Sequence, residues 1–177
     1  MAFPILPDSC VHLVRTTLLA SPQKFRKEWL GEGPKSVVPF EPPLAMSDDF
    51  AARLCQALRT LGLADAWGFS AESWPGIQPQ EGVVVPLDPA SVRRWHDEFL
   101  PFDMVLTTPD CCCAVLFGQD EFGLAAGPNE FVETALGLSV EEARSAFATY
   151  AMEMASAARH QPAVARRYTA GGQDPPR

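Results

Sequence analysis

Apolar residues recur every three or four positions in five segments of the chain, and this is the spacing of a helix with one buried face. The clearest case follows Ser47, where Phe50, Leu54, Leu58 and Leu61 fall at helical intervals and are predicted to face a core, and Gly62 ends the pattern. Serine is a favoured N-cap residue, so we predict that this helix begins just after Ser47. The other four helices are predicted after the start signals at Ser21-Pro22, Asp88-Pro89, Gly127-Pro128 and Ser139-Val140-Glu141-Glu142.

Short runs of β-branched and apolar residues predict the strands. Three of these runs lie close together, over residues 103–107, 112–117 and 122–126, and short turn-rich connections separate them. Connections this short favour an antiparallel meander. Further strands are predicted over residues 11–19, 67–69 and 83–85.

These elements predict an α+β fold, a mostly antiparallel sheet with a three-strand meander in the C-terminal half and helices packed on the sheet. We predict one domain over residues 1–160, because 177 residues match the usual length of a single domain. The proline-rich residues 32–46 are interpreted as a connector within it, and residues 161–177 as a flexible tail. Nine apolar residues are predicted to form one buried cluster: Phe50, Leu54, Leu58, Val105, Val115, Phe117, Phe131, Phe147 and Tyr150.

Composition narrows the possible partners. The formal net charge is -8, which argues against nucleic acid as the main partner. No stretch of the sequence approaches the roughly 18 apolar residues of a membrane-spanning helix, so no membrane partner is expected. The N-terminal residues lack the basic region and the long apolar region of a secretory signal, and we therefore expect a cytoplasmic protein.

The five cysteines are odd in number, and three of them are adjacent, at 111–113. This spacing suits neither a disulfide framework nor a zinc site, so we expect free thiols, no metal and no cofactor. A nucleophilic cysteine would need a base nearby, and His96 followed by Asp97 is the one sensible candidate. A small enzyme that uses Cys111–Cys113 with His96 is therefore an alternative hypothesis.

Negative charge is concentrated between residues 97 and 153, where the sequence contains eleven acidic residues and one basic residue, Arg144. One interpretation is a solvated surface that keeps the protein in solution. The other is a face that docks on a basic partner and speeds its association. In that second interpretation no residue is catalytic, and the partner-binding residues are Asp110, Asp120, Glu121, Glu130 and Glu133.

The segment from Cys113 to Glu133 combines a strand, an acidic turn, a second strand that ends in Ala-Gly and a helix that contains Phe-Val-Glu. It resembles the sheet-to-helix segment of small bacterial immunity proteins, over about residues 103–136. Those are cytosolic proteins that neutralise a cognate toxin of a contact-dependent or secreted-effector system. The resemblance implies a non-enzymatic protein-binding module, and a basic toxin partner would suit the acidic stretch. A third hypothesis is an accessory or structural subunit of a larger bacterial assembly, with residues 34–43 as a docking strip.

Overall fold

The computed structural model of the protein describes residues 2–41, 46–72, 82–99, 102–118 and 122–169. Its helices are α1 (Asp8–Leu18), α2 (Lys27–Leu30), α3 (Asp48–Arg59), α4 (Pro89–Phe99), α5 (Asn129–Leu136), α6 (Val140–Glu153) and α7 (Gln161–Thr169). Its strands are β1 (Leu19–Ser21), β2 (Lys24–Phe25), β3 (Ser36–Phe40), β4 (Asp65–Ser70), β5 (Val83–Pro86), β6 (Met104–Thr107), β7 (Ala114–Phe117) and β8 (Gly123–Gly127). The predicted α+β class is confirmed. No helix in the described ranges has the length and apolar character needed to cross a membrane.

Six strands form one antiparallel sheet in the order β3-β8-β7-β6-β4-β5. The predicted meander is confirmed as β6-β7-β8, and its register places Thr107 opposite Ala114 and Phe117 opposite Gly123. Strands β3 and β4 extend this meander on its two sides, and β5 pairs with β4 at the far edge. The short strands β1 and β2 form a separate hairpin.

Helices cover both faces of the sheet, so the protein has two hydrophobic cores. Val115 and Phe117 of β7 point into a core formed with α3, α4 and α5, whereas Leu116 points into a core formed with α1 and α7. The prediction that these nine apolar residues form one cluster is therefore wrong, because Val105 and Phe147 belong to the second core. Side chains alternate between the faces of a strand, and strands that are apolar on both faces must be covered on both.

Residues 11–19 were predicted as a strand, and that prediction is wrong. Residues Val11, Val14 and Leu18 lie along one side of α1 and are buried in the second core. The hydroxyl of Thr17 donates back to the carbonyl of Leu13, within the helix. β-branched residues disfavour a helix by only a few tenths of a kcal/mol each, so burial of this apolar side decides the structure.

Side-chain caps begin three helices where the sequence predicts them, at Ser47, Asp88 and Ser139. The capping box predicted between Ser139 and Glu142 is present in both directions. The start predicted at Ser21 is wrong, because Ser21 ends β1 and the chain passes through β2 before α2 begins. Pro22 therefore lies in the turn between β1 and β2 and not in the first turn of a helix.

Two segments interpreted as irregular contain regular structure. Residues 36–40, inside the predicted connector 32–46, form the edge strand β3, while residues 42–45 lie outside the described residues. Pro39 fits β3 because an edge strand pairs on one side only. In the predicted tail 161–177, residues 161–169 form α7, whose apolar side packs into the second core, and residues 170–177 are not described.

Candidate protein-binding surface

The five acidic residues singled out in the sequence have different environments. Asp110 lies in the turn between β6 and β7, Glu130 lies in the first turn of α5, and both are exposed. Glu133 is half-buried, and its Oε1 accepts a hydrogen bond from the backbone N–H of Val140 at 3.3 Å, so it joins α5 to α6. Asp120 and Glu121 lie outside the described residues.

Asp110 and Glu130 lie at the same end of the sheet. At this end β6 is joined to β7, because Thr107 pairs with Ala114. Gly127, the last residue of β8, pairs with Ser36, the first residue of β3. Asp65 begins β4 and pairs with the last residue of β5. Five connections therefore meet here: α2–β3, α3–β4, β5–α4, β6–β7 and β8–α5.

Five carboxylates lie in these five connections or directly beside them, those of Glu32, Asp65, Asp88, Asp110 and Glu130. We call this surface the acidic end. The basic residues in and beside the same connections are Lys35 and Arg59. The acidic stretch recognised in the sequence covers residues 97–153, so it does not include Glu32, Asp65 and Asp88. Only the strand order brings them beside Asp110 and Glu130.

Four carboxylates of the acidic end are exposed, those of Glu32, Asp65, Asp110 and Glu130. Among the described residues, none of the four has a basic group within ion-pair distance. Adjacent strands lie about 4.8 Å apart, and the Debye length in physiological salt is about 8 Å. At this strand spacing we expect carboxylates at neighbouring strand ends to repel one another and to attract an approaching cation.

The fifth carboxylate, that of Asp88, has a local role as the N-cap of α4. Its Oδ1 accepts a hydrogen bond from the backbone N–H of Ser91 at 2.9 Å. Hydrogen bonds from the Ser91 side chain and backbone lower the pKa of Asp88, so it carries its charge at neutral pH.

The β6–β7 turn holds Asp110 in a fixed position. The backbone N–H of Cys112 donates to Thr108 Oγ1 at 2.9 Å and to Asp110 Oδ1 at 3.1 Å. The hydrogen bond from Thr108 is the largest cause that lowers the pKa of Asp110. Cys111 takes a left-handed conformation, with φ of 56°, and its carbonyl accepts from Trp29 Nε1 at 2.7 Å. The carboxylate is thus ionised and presented by a turn that α2 anchors.

The structure does not bring the proposed cysteine–histidine pair together. The ring of His96 is buried against Phe117, with the ring centroids 5.4 Å apart, and its Nδ1 lies 3.3 Å from Asp97 Oδ1. Cys113 precedes Phe117 by four residues, which is roughly 13 Å along an extended strand. All five cysteines are unpaired thiols.

Burial also opposes a nucleophilic role for these cysteines. It raises the pKa of Cys111 to about 11, and it raises the pKa of Cys113 as well. Both thiols are therefore protonated at neutral pH, whereas a nucleophilic cysteine needs a lowered pKa. Burial lowers the pKa of His96, which keeps its ring neutral. Within the described ranges, no three His, Cys, Asp or Glu side chains are placed to hold a metal ion.

The proline-rich strip 34–43 is not free along its length, because residues 36–40 form β3 and Val37, Val38 and Pro39 are buried. Beyond this edge, the carbonyl of Val37 accepts from Arg144 Nη2 at 3.2 Å. Proline has no backbone N–H to offer a further strand.

The opposite edge of the sheet is covered by the N-terminal segment. The backbone N–H of Val84 donates to the carbonyl of Pro4 at 2.8 Å, and that of Leu6 donates to Gly82 at 2.7 Å. A partner that adds a strand to a sheet needs an open edge. The N-terminal segment covers the β5 edge, and on the β3 edge Arg144 takes the Val37 carbonyl and Pro39 offers no N–H, so contact through side chains at the end of the sheet is the better supported mode.

No protein-family model, curated protein or solved structure matches the chain. The resemblance of residues 103–136 to bacterial immunity proteins stays a prediction.

Proposed function

We propose that this chain is a non-enzymatic cytoplasmic protein-binding module of the immunity type, and that its acidic end docks on a basic surface of a partner toxin. One observation carries this proposal: Glu32, Asp65, Asp110 and Glu130 lie exposed on neighbouring connections and have no ion-pair partner among the described residues. Like charges on neighbouring strands repel, so the arrangement costs the isolated protein stability. Lysine or arginine side chains of a partner would remove that repulsion.

A binding role fits the rigidity of this surface. Its connections are short, and the turn around Asp110 is fixed by three hydrogen bonds. Charges held in place lose little conformational freedom when a partner binds. A negative surface also attracts a basic partner before contact, which raises the association rate more than it slows dissociation.

The experiment compares two variants with the same change in net charge. The first replaces Glu32→Gln, Asp65→Asn, Asp110→Asn and Glu130→Gln, so it loses four negative charges and keeps the side-chain shapes. The control replaces Glu98→Lys and Glu153→Lys, two exposed residues that belong to no connection of the acidic end and that together also add four charges. The partner to test is the product of the reading frame adjacent to the gene of this chain.

Association rates are measured at low and high salt. We expect the first variant to associate about tenfold more slowly at low salt and to show a weaker salt dependence, because steering accounts for gains of this order or larger. The control is expected to stay within about twofold of the unaltered chain. Equal slowing of association in both variants would show that the net charge of the protein, and not its position at the acidic end, sets the rate, and this would also refute the proposal. An unchanged rate in the first variant would refute the proposal.

A further inference from the structure

A cavity of about 240 Å³ opens between β3, α3, α6 and the junction of α5 with α6. Aromatic side chains are concentrated in it. In the described ranges five aromatic residues are half-buried, and three of these, Phe40, Phe50 and Tyr150, line the cavity. The rings of Phe40 and Phe50 lie 5.7 Å apart between centroids, and so do those of Phe147 and Tyr150.

The wall of the cavity also contains a guanidinium group, that of Arg53. Arg53 lies over the ring of Phe50, 5.8 Å from its centroid, and pairs through Nη1 with Asp49. Its stem passes across Gly137, where a Cβ would lie 2.9 Å from Arg53 Cδ. Arg53 Nε is buried and has no hydrogen-bond partner among the described residues. That nitrogen is covered by the protein, so a ligand does not reach it. The Arg53 side chain is nevertheless 32% exposed and lines the cavity, so its terminal nitrogens are the donors that a ligand can meet.

The cavity mouth exposes apolar surface. Leu138 follows Gly137 and is 42% exposed, so part of its apolar side chain faces solvent. The cavity is smaller than the roughly 300–1,000 Å³ of sites for drug-sized ligands, so its occupant has about one ring. Glu41 also lines the cavity, but it is exposed, so water screens its charge.

We propose that this cavity binds a small aromatic carboxylate, with its ring among Phe50, Phe147 and Tyr150 and its carboxylate on Arg53. A carboxylate matches the planar donor set of a guanidinium group and forms the stronger, charge-assisted hydrogen bond. Aromatic rings prefer offset or edge contacts with one another, and the half-buried rings of the cavity offer such contacts. The cavity is separate from the acidic end, so this binding does not depend on the proposed function.

The test uses phenylacetate as the probe and amide NMR of the full chain as the readout. We expect saturable shifts at the amides of Leu138 and Ala146, with a dissociation constant of about 1 mM, as suits a ligand with about ten non-hydrogen atoms. Phenylacetamide keeps the ring and the shape but carries no charge. It is expected to bind about tenfold or more weakly than phenylacetate.

Two matched pairs of variants locate the site. Arg53→Gln is expected to weaken phenylacetate binding about tenfold or more. Arg93→Gln is its control, because Arg93 also pairs through Nη1 with an aspartate of α3 and also has a buried, unpartnered Nε, but does not line the cavity. Ala146→Leu should fill the cavity and abolish binding, whereas Ala52→Leu should not, because Ala52 is also exposed but does not line the cavity.

Thermal unfolding of each variant first shows that it is folded. The proposal is overturned if phenylacetate causes no saturable shift at Leu138 or Ala146 at concentrations up to about 10 mM. It is also overturned if phenylacetamide binds as well as phenylacetate, or if Arg53→Gln and Arg93→Gln have equal effects. Loss of phenylacetate binding would leave the toxin-docking proposal untouched, since the two surfaces share no residue.

Discussion

Trp29 links α2 to the β6–β7 turn, and the replacement Trp29→Phe tests how much this link contributes. The indole Nε1 donates to the carbonyl of Cys111 at 2.7 Å, and the Trp29 side chain is only 1% exposed. Phenylalanine keeps a ring against Phe25, whose centroid lies 5.0 Å from that of Trp29. It removes the N–H group and leaves the partly buried carbonyl of Cys111 without a hydrogen-bond donor.

The expected loss of stability follows from these two changes. A carbonyl left unsatisfied costs about 1–3 kcal/mol, and the smaller ring adds about 1 kcal/mol for the lost buried atoms. The free energy of unfolding should therefore fall by about 2–4 kcal/mol. For a chain of this size that lowers the melting temperature by roughly 5–15 °C. The turn should open more often, so the amide of Cys112 should exchange with solvent faster.

Thermal unfolding and amide hydrogen exchange together measure the effect. Trp67→Phe is the matched control, because Trp67 is half-buried on the second core and its indole N–H has no hydrogen-bond partner among the described residues. The control removes the same atoms and no hydrogen bond. If both variants lose the same stability and Cys112 exchanges at its original rate in Trp29→Phe, the hydrogen bond does not hold the turn.

Two further predictions concern the first core. Leu54→Ala should lower the free energy of unfolding by about 2–5 kcal/mol in urea, because Leu54 is fully buried. Leu61→Ala should cost far less, because Leu61 is 38% exposed and its predicted place on the core face of the helix is wrong. Equal costs would contradict the packing of α3. Burial lowers the pKa of His96 in the folded state, so below pH 6.5 the unfolded chain takes up a proton that the folded chain does not. Stability should therefore be complete above pH 6.5 and fall as the pH drops toward the folded-state pKa. His96→Gln should lose this component, whereas His12→Gln, at an exposed residue, should keep it.

Local signals in the sequence determined where several elements begin and how the meander is built. The capping box of Ser139 and Glu142 satisfies backbone groups within one turn of helix, so it depends on neighbouring residues alone. The connection at Thr108-Pro109-Asp110 is too short for a crossover, which leaves an antiparallel pairing of β6 with β7. Such features can be predicted from the sequence without knowing which residues pack against them.

Tertiary packing decided the features that were predicted wrongly from the sequence pattern. The apolar residues of 11–19 suit either a strand or a helix, and the second core selected the helix by burying Val11, Val14 and Leu18 together. The middle strands are apolar on both faces, so their pattern could not show that Val105 belongs to a different core from Val115.

The acidic end is a product of tertiary structure. Glu32, Asp65 and Asp88 are far apart in the chain, and they become neighbours of Asp110 and Glu130 only because the antiparallel strand order brings five connections to one end of the sheet. The sequence established how much negative charge the protein carries. The fold determined where that charge is concentrated, because distance through space, and not separation along the chain, sets the strength of an electrostatic interaction.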